Sequence, residues 1–210
     1  MARNKTSKTK AWMREHVNDV YVQRAKREGY RSRAAYKLQE IARKDRLIAR
    51  GSTVVDLGAS PGGWSQVAAE LVGPTGKVIA VDLLEMVSMR VVVFIQGDFR
   101  EDETVVRLQS ELGGAPVDLV VSDMSPNISG ISVSDQARVI HLAELALDFA
   151  AKWLKPEGNL LVKTFQGAGF EEFRDAMRRH FRQVLTRKPE ASRGRSSEIY
   201  LLGKALIRNR

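Results

Sequence analysis

The 210-residue chain predicts an α/β protein built on a doubly wound, mostly parallel sheet with one antiparallel strand near its C-terminal end. Three observations carry this. From Thr53 onward, short apolar runs alternate with helical patterns. The first run, Thr53 to Leu57, passes through Gly58-Ala59-Ser60-Pro61-Gly62-Gly63 into a helix starting at Trp64. That strand, tight turn and helix N-terminus is where Rossmann-like proteins hold small ligands. The last two apolar runs are joined by a short polar loop, Arg187 to Ser197, which allows a hairpin but no helical crossover.

The elements follow in order. Residues 1–30 read as a basic N-terminal arm and segment, and 31–210 as one domain. Trp12 to Arg27 is a short helix or an extended segment. Ser32 is expected to N-cap a helix running to about Asp45, with Ala35, Leu38, Ile41 and Ala42 at helical spacing. Five strands are expected at Thr53 to Leu57, Lys77 to Asp82, Val91 to Gln96, Val117 to Ser122 and Asn159 to Phe165. Near-continuous apolar runs fit a sheet covered on both faces. Helices are expected from Trp64, from Glu103 to Leu112, from Asp135 to Leu154 and from Phe170 to His180. Lys155-Pro156-Glu157-Gly158 should stop the long one. Gln183 to Thr186 and Ile199 to Gly203 complete seven strands.

Charge is distributed unevenly. Residues 1–50 carry 15 Lys and Arg against 5 Asp and Glu, a net of +10. Residues 51–173 net −9 and residues 174–210 net +8. Two basic ends brought together would form a face suited to a polyanion. No cysteine is present, which excludes disulfides, thiolate metal sites and thiol nucleophiles. No apolar run approaches bilayer length, and the basic N-terminus lacks a signal-peptide core. A cytoplasmic monomer is the expectation, with no metal and no membrane partner.

Ligands of open α/β sheets lie beyond the carboxyl ends of the strands. Here those ends carry Asp56, Asp82, Asp98 and Asp123, with Lys163 late in the fifth strand. So many charges at one edge call for a ligand or for one another. Asp82, 24 residues beyond Gly58, suits the ribose hydroxyls of an adenosine cofactor. The loop is not G-x-G-x-x-G, since Pro61 precedes the second glycine at 62. That argues against a pyrophosphate and a nicotinamide oxidoreductase. A ligand with an amino-acid end and a sulfonium, S-adenosylmethionine, fits an acidic loop better.

The run Asp56 to Trp64 resembles the cofactor loop of the FtsJ family of RNA ribose 2′-O-methyltransferases. Asp82-Leu83, Gln96-Gly97-Asp98-Phe99, Ser122 to Asn127, Val162 to Gly167, Arg187-Lys188-Pro189 and Ser192 to Tyr200 extend the resemblance along nearly the whole chain. It implies the class I S-adenosylmethionine-dependent methyltransferase fold. The cofactor would lie on Asp56, Gly58, Ala59, Ser60, Pro61, Gly62, Gly63, Trp64, Asp82, Leu83, Asp98, Phe99 and Asp123. A Lys-Asp-Lys-Glu tetrad would fall on Lys37, Asp123, Lys163 and Glu198.

The implied reaction is attack of a ribose 2′-oxygen on the sulfonium methyl, with a uridine of 23S ribosomal RNA in the large subunit as substrate. Lys163 then has two candidate roles, general base or orienter of the hydroxyl. RNA would cross Arg24, Lys26, Arg27, Arg31, Arg33, Arg193 and Arg195. Ser129 to Ser134 is a candidate lid. Trp64 and Phe99 fit packing better than adenine stacking, and Glu198 is as readily a partner of Arg195. A ribosome-assembly factor that only occupies its site is the competing class.

Overall fold

In the computed structural model the described residues are 19–126, 132–192 and 196–207. Helix α1 is Val20–Glu28, α2 Ala34–Asp45, α3 Gly63–Val72, α4 Asp102–Leu112, α5 Ser132–Trp153 and α6 Phe170–His180. The strands are β1 Thr53–Leu57, β2 Lys77–Asp82, β3 Val92–Gln96, β4 Val117–Ser122, β5 Leu154–Phe165, β6 Phe181–Arg187 and β7 Glu198–Leu206. They form one seven-stranded sheet in the order β3-β2-β1-β4-β5-β7-β6. β7 runs antiparallel to both neighbours, and the other pairings are parallel.

Alternation along the strands sorts the core into two layers. Val55, Leu57, Ile79, Val81, Leu160 and Val162 face α4, α5 and α6, meeting Leu108, Leu147 and Phe173. Val54, Val78, Leu119, Val121 and Leu161 face the opposite way, meeting Leu38 and Ile41 of α2 and Trp64 and Val67 of α3. On β7, Tyr200 and Leu202 also turn toward α2 and α3. This parity decides which strand-end residues can meet a residue of α2.

Helix α2 is fastened at both ends. The Trp64 indole Nε1 donates to the Ala34 carbonyl oxygen at 2.8 Å. At the other end Arg187 of β6 grips both oxygens of Asp45 at 2.8 and 2.6 Å. This hydrogen-bonded guanidinium holds the Asp45 carboxyl below its usual range, outweighing burial. Helix α1 is capped by Asp19, whose side chain accepts from the N–H groups of Tyr21 and Val22. Its Ala25 packs against Tyr36 and Ala191.

Several boundaries differ from expectation. Ser32 does not cap α2: Arg33 occupies the N-cap position, without a side-chain cap bond. Ser32 Oγ instead lies against Gly63, where an added Cβ would come within 2.3 Å of it. Lys155 to Gly158 belongs to β5 rather than to a turn, and pairing with β4 shifts register between Val117 and Leu119. The long helix begins at Ser132, three residues early. Val91 is excluded from β3 because its φ is +69°, outside the strand region.

Candidate active site

The sheet edge holds two adjoining groups of residues. The first is the turn after β1. Gly58 has φ +75°, and a Cβ there would meet Met124 Cγ at 2.3 Å. Only glycine lets this loop lie so close to the segment after β4. Asp56 is fully buried. Its Oδ2 accepts from Ser65 Oγ at 2.6 Å. Its Oδ1 is buried without a hydrogen-bond partner. Burial pushes the Asp56 carboxyl up to about 7; the carboxylates of Asp123 and Asp82 add to this and Ser65 opposes it. Asp82 shapes the neighbouring loops, accepting from the N–H groups of Ser60 and Leu84, each at 2.8 Å. Leu83 is 65% exposed beside it.

The second group is a chain of polar contacts on the α2 face. Lys37 Nζ donates to Glu198 Oε1 at 2.7 Å and to the Tyr200 hydroxyl at 3.2 Å. The Tyr200 hydroxyl donates to Asp123 Oδ1 at 2.7 Å. Lys163 Nζ lies 3.1 Å from the same Oδ1 and donates to the Asp123 main-chain oxygen at 2.6 Å. Ser192 Oγ donates to Glu198 Oε1 at 2.9 Å.

Register explains the meeting. Lys163 and Tyr200 are direct cross-strand partners, and Glu198 is two residues before Tyr200 on the same face. Asp123 follows Ser122, which pairs with Val162. Lys37 arrives from α2. Lys37 and Lys163 are 6% and 7% exposed, so both are buried charges and both are paired. Burial would raise the Asp123 carboxyl, but the Lys163 and Lys37 ammonium groups and the Tyr200 hydroxyl hold it below its usual range. Burial and the adjacent carboxylates push the Tyr200 phenol well above its ordinary value. It remains a neutral donor at any physiological pH.

The sequence reading brings Lys37, Asp123, Lys163 and Glu198 together but misses Tyr200 and Ser192. Their signal is positional: Tyr200 shares the parity of Glu198 on one strand. Other candidates have different tasks. The Trp64 side chain is buried against Tyr200, with ring centroids 5.5 Å apart, and faces α2. Phe99 packs edge-on against Phe149 at 6.1 Å. The Asp98 carboxylate is held by Arg100, whose hydrogen bonds keep it below its usual range.

Two of the arginines expected to contact RNA have their guanidinium groups engaged within the protein. Arg31 donates to the Val87, Ser88 and Pro61 carbonyl oxygens at 2.5, 2.9 and 3.3 Å, clasping the turn to the loop after β2. Arg33 pairs with Asp19 and donates to the Ala191 oxygen. Arg24 pairs with Glu28, while Lys26 and Arg27 are exposed. Arg193, Arg195 and residues 129–131 of the candidate lid lie outside the described residues. Among the described residues there is no group of three His, Asp or Glu able to hold a metal, and no helix long and apolar enough to cross a membrane.

Comparison with known proteins gives a consistent answer. Residues 30–206 match the family described as FtsJ-like methyltransferase. A protein of Nitrosospira multiformis named ribosomal RNA large subunit methyltransferase E is 63% identical, with 97% of this chain and 98% of the relative covered. One of the same name from Methylobacillus flagellatus is 61% identical, with 97% of each covered. The crystal structure of a ribosomal RNA methyltransferase from Plasmodium falciparum superposes with a TM-score of 0.76 at 28% identity, covering 86% of this chain and all of the other. The loop geometry, the paired lysines and carboxylates, and these relatives together establish that the chain belongs to the FtsJ-like methyltransferase family.

Proposed function

We propose that this protein uses S-adenosylmethionine to methylate the ribose 2′-hydroxyl of a uridine in 23S ribosomal RNA, acting on the large ribosomal subunit. The observation that carries the reading is the pairing of Lys163 with Asp123, buried beside the Gly58–Met124 contact. It supports the reading because it sets a buried cation beside the glycine turn that would hold the cofactor. The names of the 63% and 61% identical relatives support ribosomal RNA as the substrate class.

The residues fit the cofactor. The partnerless Asp56 Oδ1 offers a buried acceptor to a cationic amine, and the glycines at 58, 62 and 63 let the adjoining turn pack directly against Met124, Met86 and Ser32. Asp56, the Gly58 to Gly63 turn, Asp82 and Leu83 would hold it. Bound there, S-adenosylmethionine supplies an electrophilic methyl group on a sulfonium.

The remaining work belongs to the chain. Asp123 fixes Lys163 through two contacts, so its amine can orient the 2′-oxygen and stabilise negative charge developing on it. Tyr200 keeps Asp123 aligned, and Glu198 fixes Lys37 on the far side of that tyrosine. Lys26 and Arg27 on α1, with Arg193 and Arg195, would meet RNA phosphates. The test is transfer of a labelled methyl group from S-adenosylmethionine to large subunits lacking the modification, followed by mapping. A label on a base, or on no RNA, overturns the reading.

A further inference from the structure

A groove of about 1000 Å³ runs along the outer side of α2. It is lined by Tyr21, Tyr36, Arg43, Lys44, Arg46 and Leu71, among others. We propose that this groove binds a single-stranded segment of RNA flanking the modified nucleotide. The proposal rests on the RNA-methyltransferase reading given above.

Charge is the first argument. The lining carries Arg24, Arg43, Lys44 and Arg46 against Glu40 and Glu190, an excess of cations, and the other carboxylates around it are engaged. Asp45 is gripped by Arg187, Glu40 accepts from the Glu190 N–H at 2.8 Å, and Glu28 is bonded to Arg24 and Tyr36. Arg43 and Lys44 are exposed, and Lys44 acts only as a more distant charge on the Asp45 carboxylate that Arg187 holds. A polyanion would neutralise them. The chain's own N-terminal arm cannot: residues 1–18 carry five Lys and Arg against one acid.

Surface chemistry is the second argument. The same lining carries the half-buried Tyr21 ring, tilted on Tyr36 at 5.6 Å, and Leu71, which is 38% exposed. Flat apolar faces beside cations suit unstacked bases and their backbone. Duplex RNA hides its base faces and would use only the cations. An acidic peptide would likewise leave the ring and Leu71 without a partner.

Continuity is the third. Tyr36 lines the groove and its neighbour Lys37 reaches Glu198; Ala191 lines the groove and its neighbour Ser192 also reaches Glu198. Lys44 lies seven residues along α2 from Lys37, about 10 Å of helix rise. A strand held at the tetrad therefore has a path into the groove.

The experiment is equilibrium binding of a labelled single-stranded RNA of mixed sequence, with a duplex RNA and polyglutamate as parallel probes, at several salt concentrations. Arg43→Gln/Lys44→Gln should weaken single-strand binding about tenfold at low salt. It should also reduce the log–log salt slope by about 1.4, the share of two phosphate contacts. Tyr21→Leu should weaken it several-fold with the slope unchanged, since stacking releases no counterions. S-adenosylmethionine affinity in both variants reports an intact fold. Wild-type binding by the double variant overturns the groove while leaving the proposed function standing. Equal losses on the duplex, or losses confined to polyglutamate, also overturn it. No RNA binding or methylation by the wild-type protein overturns both.

Discussion

The two halves of the sheet edge treat buried charge in opposite ways. After β1, Asp56 is buried with one oxygen unsatisfied and its carboxyl raised to about 7. After β4, Asp123 lies beside two lysines and a tyrosine hydroxyl and is held below its usual range. Both are strand-end aspartates of the same kind. The difference teaches that a strand-end acid is not one functional type. Asp56 keeps one buried oxygen without a partner, whereas Asp123 is completed by the protein and arrives preorganised.

Substitutions can break that contrast. Lys163→Ala should have the largest effect. Removing the cation should lower methyl transfer about 10²–10³-fold, the range for one oxyanion-stabilising donor. Cofactor affinity, measured by calorimetry, should stay within about twofold. An unchanged transfer rate would show that the paired half plays no part in the chemistry.

Arg187→Ala removes the anchor of α2 and leaves the buried Asp45 carboxylate unpaired. It should cost about 3 kcal/mol in denaturant unfolding. Retention of wild-type stability would mean that α2 is held by packing alone.

Asp56→Asn sharpens the other half. A carboxyl raised in the folded state binds a proton there more tightly than in the unfolded chain. Its contribution is therefore complete below the unfolded value, near 4, and is lost as pH rises through about 7. Across that window the wild-type stability should carry a falling component of at most about 1.4 kcal/mol per pH unit, which Asn removes. Thermal unfolding from pH 4 to 8 measures it, and identical profiles would refute the raised carboxyl. Trp64→Phe should have the smallest effect. Losing the indole bond to Ala34 while keeping a ring against Tyr200 should cost about 1 kcal/mol, read from the same unfolding curves.

Much of this was legible in advance because it is written in local pattern. Apolar runs and the glycine turn locate most elements to within a few residues; the Lys155 to Gly158 run marks the end of α5 but hides the first five residues of β5, which starts at Leu154. The resemblance put the four tetrad residues on the right positions to meet. Tyr200 was less legible, since nothing in a tyrosine on an apolar strand distinguishes a bridging hydroxyl from packing. The internal contacts of the arginines were hidden for a related reason. Arg31 and Arg33 look like solvent cations in a basic stretch, and only three dimensions show the carbonyls and the carboxylate that they meet.

The sequence by itself determined the strand–turn–helix at Val54 to Trp64, the acids at the strand ends and the basic flanks, since each depends on neighbours a few residues apart. Tertiary structure alone decided which acid is satisfied. Lys37 and Glu198 are 161 residues apart and touch at 2.7 Å. That contact requires α2 latched by Trp64 and Arg187, and β7 in one register against β5. Slipping β7 by one residue would turn Glu198 and Tyr200 to the other face of the sheet.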